Sequence, residues 1–179
     1  MTMHRLPFAA LLLLAASCTT PTAGKGKQEA GASASQDDFA RQQAIWAATK
    51  IGLSTGEAHN LVPAETEMAK AAVEMRREDI DKCFESAVTL HGCRTHGIEQ
   101  FCDFMLMIAT DGSVREALIR AGKNELPRQC DAAVTCVREL LGQIQIQGLQ
   151  RFDHGARQLM MTVSVTTPDE ELLGMADGG

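Results

Sequence analysis

The sequence predicts an α+β fold, a small two-layer sandwich with a three-stranded antiparallel sheet and two helices on one face. The predicted order is helix-strand-strand-helix-strand, and three observations support it. Asp111-Gly112 stands between two apolar runs, which is the strongest short-range signal for a hairpin. One amphipathic helical pattern precedes this hairpin and another follows it. A final stretch of strictly alternating apolar residues closes the order as the third strand.

Composition restricts the class of protein. A chain of 179 residues is long enough for one domain with tails. With 6 Phe, 1 Trp and no Tyr, its core must be aliphatic and rich in methionine. The net charge of −6 argues against nucleic-acid binding, which needs a basic excess on one face. The strongly apolar run lies at the N-terminus, and this excludes a polytopic membrane protein.

Residues 1–17 read as a signal peptide, because a basic start precedes an apolar run from Leu6 to Ala16. That run is shorter than the roughly 20 residues of a membrane-spanning helix. It ends directly before Cys18, and this resembles the bacterial lipobox, which implies a lipidated cysteine. The alternative is ordinary cleavage by signal peptidase I after Ser17, which would release a soluble secreted protein. Residues 18–36 then form a tether without large apolar side chains.

Residues 37–63 are expected to hold a helix and a loop. Asp37 suits the helix N-cap, and Phe39 and Trp46 lie seven residues apart on one helical face. Trp46 is either a packing residue or an anchor for a partner. Glycine, asparagine and proline residues predict a loop over 51–63.

The main domain is predicted over 64–167. A long helix is expected from Ala64 to about Leu90, with apolar residues at helical spacing and Gly92 placed to end it. The hairpin strands follow over 101–109 and 114–121.

A second helix begins near Pro127, and Ile144 and Ile146 suggest a short edge strand. The last strand alternates through Leu159, Met161, Val163 and Val165. After it, the acidic residues 168–179 are expected to be a disordered tail.

The segment from Ile80 to Val165 resembles the TonB C-terminal-like domain, in particular its AgmX/PglI C-terminal type. In that pattern a helix carries isoleucine, two residues and then cysteine with an aromatic residue, as at Ile80, Cys83 and Phe84. A strand then ends in isoleucine, two residues, Asp-Gly, one residue and valine, as at Ile108, Asp111-Gly112 and Val114. The second helix carries a Cys-Val pair, here Cys136-Val137.

The resemblance implies an α+β fold and a disulfide bridge between Cys83 and Cys136 that joins the two helices. Closing a loop of 53 residues would stabilise the fold by about 4 kcal/mol. The alternative is a pair of buried free thiols that pack as small apolar groups. In an oxidising compartment the bridge is favoured.

The cysteines other than Cys18 number five, and this odd count leaves at least one without an intramolecular partner. Cys93 and Cys102 are the first choice for a second bridge, because they are close in the chain. His91, Cys93, His96 and Cys102 are also potential metal ligands, but their spacing matches no standard zinc pattern. We therefore predict no metal site and no cofactor.

No catalytic motif is evident, so the protein is expected not to be an enzyme. We expect a lipid-anchored interaction module of the bacterial outer membrane that binds another envelope protein and no nucleic acid. Strand addition is the expected binding mode, at a sheet edge formed by the strand of Leu159, Met161, Val163 and Val165. The alternative function is a metal- or thiol-responsive envelope sensor that uses His91, Cys93 and His96.

Overall fold

The computed structural model describes residues 30–149 and 155–169. In this part of the chain it contains four α-helices and four β-strands. The helices are α1 (Ala30–Ala48), α2 (Pro63–Glu74), α3 (Arg77–Leu90) and α4 (Asp131–Leu141). The strands are β1 (Lys50–His59), β2 (Gln100–Ile108), β3 (Val114–Asn124) and β4 (Arg157–Thr166). The fold is α+β, but the prediction of three strands and two helices was wrong.

The unpredicted strand is β1, which occupies most of the segment assigned to a loop. The sheet is antiparallel with the order β1-β4-β2-β3, so β1 forms one of its edges. An edge strand is bonded on one side only, and Gly52 and Gly56 weaken the strand pattern further. Leu53 faces Val163 of β4, and a bulge separates Thr55 from Ala58.

The hairpin predicted around Asp111-Gly112 is present as β2 and β3. Asp111 accepts hydrogen bonds from the Ser113 backbone N–H at 3.0 Å and from the Ser113 hydroxyl at 2.7 Å. These bonds, that of the hydroxyl first, lower the pKa of Asp111. Gly112 has φ of 84°, and a Cβ there would lie 1.9 Å from the Ile146 carbonyl oxygen. This turn therefore requires glycine for both its conformation and its packing.

The long helix predicted from 64 to 90 is two helices, with a break at Met75 and Arg76. Neither residue is a glycine or a proline, so the sequence carries no local signal for the break. The change of direction lets α2 lie beside β1 while α3 packs against α4. Helix α1 begins at Ala30, seven residues before the predicted start at Asp37.

The hydrophobic core lies on one side of the sheet, which we call the covered face. It joins alternate residues of the two central strands to the facing sides of α3 and α4. Ile45 brings α1 into the same core with no exposed surface. The fully or almost fully buried members include Phe84, Val88, Phe104, Leu106, Val137, Leu159, Met161 and Val163.

Candidate interaction surfaces

Two disulfide bridges fasten the helices that cover the sheet. Cys83 of α3 is bonded to Cys136 of α4, the pair that the family resemblance implies, with a Cα–Cα distance of 5.8 Å. Cys93 is bonded to Cys130 across a Cα–Cα distance of 4.7 Å. The predicted pairing of Cys93 with Cys102 was therefore wrong. Cys93 follows the end of α3 and lies beside the start of α4, whereas Cys102 belongs to β2.

Cys102 is the free cysteine among the described residues, and it is fully buried on the covered face. Burial, with a smaller contribution from the neighbouring Asp103 carboxylate, raises the pKa of the Cys102 thiol to about 12. The thiol is therefore protonated at neutral pH, and it is the thiolate that reacts or binds metals. The described residues therefore contain two disulfide bridges and one buried, protonated thiol.

The potential metal ligands after α3 are not brought together as a site. The Cys93 sulfur is bonded to Cys130, while His91 and His96 are exposed in the loop after α3. Within residues 30–149 and 155–169, no group of three or more His, Cys, Asp or Glu side chains is arranged to hold a metal ion.

The predicted binding edge was wrong, because β4 is an interior strand. It pairs with β1 on one side and with β2 on the other. Leu159, Met161, Val163 and Val165 are each 0 % exposed and belong to the core. An alternating pattern indicates which face of a strand is buried, but it does not indicate whether the strand has neighbouring strands on both sides.

The side of the sheet opposite the core, which we call the open face, carries an apolar row across three strands. Leu118 of β3 is directly opposite Met105 of β2, which is directly opposite Met160 of β4. All three side chains are partly exposed, and Met107 extends the row along β2. Among the residues that the structure describes, no helix packs on this face.

Polar groups surround this methionine-centred row. The Thr162 hydroxyl donates to Asp103 at 2.6 Å on the side toward the start of β2. Gln158 is opposite Met107 on the other side. An apolar centre with a polar rim is the usual organisation of a protein–protein interface.

A buried ion pair belongs to the covered face and not to a binding surface. Arg157 at the start of β4 donates to Glu65 of α2 at 3.3 Å. Both residues are almost completely buried, with 2 % and 3 % of their surface exposed. Glu65 also accepts a hydrogen bond from the Val62 backbone N–H at 3.2 Å, at the N-terminus of α2. The pair therefore fixes α2 to the sheet.

The two edges of the sheet each border a groove. The β1 groove has a volume of about 320 Å³ and lies between Leu53, Ser54 and Thr55 of β1 and the adjacent side of α2. Its charges are paired within the molecule, because Lys70 lies 2.9 Å from Glu67 and Arg77 lies 3.6 Å from Glu74. The Arg77 guanidinium also donates to the Ile51 carbonyl of the edge strand at 3.5 Å.

The β3 groove has a volume of about 450 Å³ and lies between β3 and α4. Its basic side chains are Arg115 and Arg138, and both are exposed. The grooves thus differ in charge.

Several predicted features lie outside the described residues. They are the signal peptide, Cys18, the tether up to residue 29 and the tail from residue 170. None of the helices within residues 30–149 and 155–169 is long and apolar enough to cross a bilayer. In comparisons with known proteins, no family model, curated protein or solved structure matches this chain.

Proposed function

We propose that this protein is a non-catalytic interaction module of the bacterial cell envelope, anchored by lipid at Cys18, whose open face binds another envelope protein. The observation that carries the proposal is the apolar row of Leu118, Met105 and Met160 on a sheet face with no helix on it among the described residues. The resemblance of residues 80–165 to TonB C-terminal-like domains agrees with a non-catalytic envelope role.

Methionine at the centre of this face suits a binding surface. Its unbranched side chain and polarizable sulfur adapt to partners of different shape, and this is why methionine is frequent on promiscuous binding surfaces. In an antiparallel sheet with one solvated face, that face is ordinarily polar. Apolar residues on three neighbouring strands depart from this pattern in the way that interaction sites do.

The alternative function, a metal- or thiol-responsive sensor, depends on Cys93, which is not a free thiol. The Cys93 sulfur is in a disulfide bridge and so is not available as a thiolate ligand. The buried Cys102 thiol is held protonated by its raised pKa. We therefore retain the interaction module.

Position-specific cross-linking in cells tests the open face. A photo-cross-linking amino acid is placed at Met105 or Leu118, with Glu78 on the exposed side of α3 as the matched control position. We expect one discrete adduct from the two open-face positions that is lost when Met160→Asp is added. Equal adducts from Glu78, or an adduct that Met160→Asp does not affect, would contradict binding at this face.

Lipid anchoring is tested separately by the intact mass of the membrane-extracted chain, measured before and after reduction. We expect a diacylglycerol-modified Cys18, removal of residues 1–17 and two disulfide bridges. In the Cys18→Ser variant the protein should leave the membrane fraction. A chain that stays with the membrane after this substitution would refute the anchor, but it would leave the open-face proposal intact.

A further inference from the structure

At one end of the β3 groove, a short segment of the chain is paired with the outer side of the hairpin. Ser113 forms an isolated antiparallel bridge with Gln145. The Val114 backbone N–H donates to the Ile144 carbonyl at 3.0 Å, and the Ile146 backbone N–H donates to the Gly112 carbonyl at 2.8 Å. The outer side of the hairpin therefore accepts an antiparallel partner at this end.

Beyond this bridge, the outer side of β3 pairs with no strand in the described part of the chain. Its regular part runs from Glu116 to Ile119, because the pairing with β2 is irregular on both sides of these residues. Toward the end of β3, Phe104 is opposite Ile119, whereas Cys102, two residues before Phe104 in β2, is opposite Asn124, five residues after Ile119 in β3. The extra residues of β3 there include Gly122, with φ of 70°. The free edge is thus short, and it fits a segment of about four residues.

Ile119 provides an apolar contact next to this edge. It is opposite Phe104, so its side chain points to the covered side of the sheet. Phe104 is 1 % exposed there, whereas Ile119 at the sheet edge is 37 % exposed. An aliphatic side chain from a strand added beside β3 would cover Ile119, because directly opposed residues share one face of a sheet.

The charge of the β3 groove indicates which class of partner it would bind. Arg115 and Arg138 line the groove, and neither forms a salt bridge within the described residues. The Ser113 hydrogen bonds lower the pKa of Asp111 most, and the charge of Arg115 is the smallest of the causes that lower it. Glu116 also borders the groove, but it is opposite Met107 and its side chain therefore points to the open face. The groove thus has two cationic side chains against one carboxylate. In a chain of net charge −6, this groove is locally basic.

We propose that the β3 groove binds an extended acidic segment of another protein, which adds antiparallel to β3 as a fifth strand. Main-chain hydrogen bonds to Glu116–Ile119 would hold the segment in place. An aliphatic side chain would cover Ile119, and a carboxylate two residues from it, on the same face of the added strand, would pair with Arg138 of α4. A carboxylate at an adjoining position would pair with Arg115 at the start of β3. Such β-augmentation draws affinity from the backbone and specificity from the side chains. This surface is separate from the open face of the proposed function.

The test measures fluorescence anisotropy of a labelled peptide of eight residues with the full chain extracted in detergent. In this acidic peptide single valines separate pairs of Glu, so that each face of the extended peptide carries both residue types. Three further peptides are controls: one has Lys in place of every Glu, and two versions of the acidic peptide carry N-methyl groups at alternate positions, one version for each edge. N-methylation removes the backbone donors of one peptide edge and leaves every charge in place. We expect the acidic peptide to bind, the basic peptide not to bind, and one of the two N-methylated versions to lose binding.

Arg115→Glu combined with Arg138→Glu should weaken binding of the acidic peptide by at least about tenfold. Lys70→Glu in the β1 groove is the matched control and should leave binding unchanged. Both arginines are exposed, so the double variant should keep the circular dichroism of the wild-type chain. Equal binding to the double variant, or full binding of both N-methylated peptides, would overturn the proposal.

Sedimentation of the same proteins tests whether the groove binds a second copy of this chain. If the wild-type chain were a dimer and the double variant a monomer, the groove would bind a second copy of this chain, and the proposed partner would be wrong. Cross-linking from Met105 should be the same in the wild-type chain and the double variant. Failure of the groove is therefore distinguishable from failure of the open face.

Discussion

The two faces of the same sheet differ in what covers them. The covered face is closed by α3 and α4, two disulfide bridges and the buried Glu65–Arg157 pair. The open face has partly exposed methionines surrounded by polar groups. Successive side chains of one strand thus lie in turn in the core and on the proposed binding face, since neighbouring residues point to opposite faces. We expect substitutions on the covered face to lower the free energy of unfolding and those on the open face to affect binding.

The largest expected effect is on the buried ion pair. Glu65→Ala would remove the buried carboxylate to which Arg157 donates, and breaking such a buried ion pair costs about 3–5 kcal/mol. Urea unfolding monitored by circular dichroism measures this. The matched control is Glu67→Ala, which removes the exposed Lys70–Glu67 pair and should cost below about 1 kcal/mol. Similar losses in both variants would mean that Glu65 does not fix α2 to the sheet.

The next effect concerns the bridge between the two covering helices. Replacing Cys83 and Cys136 together with alanine should lower the free energy of unfolding by about 3 kcal/mol. The reason is that the Cys93–Cys130 bridge lies inside the loop of 53 residues and spans 37 of them, so the unfolded chain gains the entropy of a loop of only about 16 residues. The same urea experiment, with the Cys93–Cys130 bridge intact, measures it. A loss below about 1 kcal/mol would show that α3 and α4 are held together by packing alone.

Two neighbouring residues of β2 compare the faces most directly. Leu106 is fully buried on the covered face, and Leu106→Ala should cost about 3 kcal/mol through lost burial and the cavity left behind. Met105→Ala on the open face should cost below about 1 kcal/mol but reduce cross-linking from Leu118. Equal destabilisation by the two substitutions would mean that the open face is covered in solution.

The smallest effect is the pH dependence contributed by Cys102. Its pKa is about 12 in the folded chain, whereas an unfolded cysteine titrates near pH 9. Between these values the unfolded chain has lost a proton that the folded chain keeps, so the free energy of unfolding falls as the pH rises. We expect a loss of about 1 kcal/mol between pH 8 and pH 10.

Cys102→Ala is the control for this titration, because it removes the thiol and should remove this part of the pH dependence. Native Cys102 should also resist alkylation at pH 8 and react rapidly once the chain is denatured. Rapid alkylation of the native chain would show that the thiol is not held protonated by burial.

The elements that the sequence predicts correctly are those whose signal is local. The Asp111-Gly112 turn follows from side-chain and glycine chemistry within three residues, and the alternation of β4 from Leu159 to Val165 follows from one buried face. The strand β1 was missed because its glycines and half-buried residues give only a weak alternation. The break at Met75 and Arg76 was missed because the packing of α2 and α3 on different neighbours, and no breaker residue, sets it.

The amino-acid sequence by itself determined which residues avoid water, and so it determined the α+β class, the hairpin and the buried stripes of the helices. Only the tertiary structure decided which strands are neighbours, which cysteines meet and which strands are the edges of the sheet. The physical reason is that hydrophobic burial has no direction and leaves a period in the sequence. Strand pairing and disulfide bonding join residues that are distant in the chain, and no local pattern specifies such a partner.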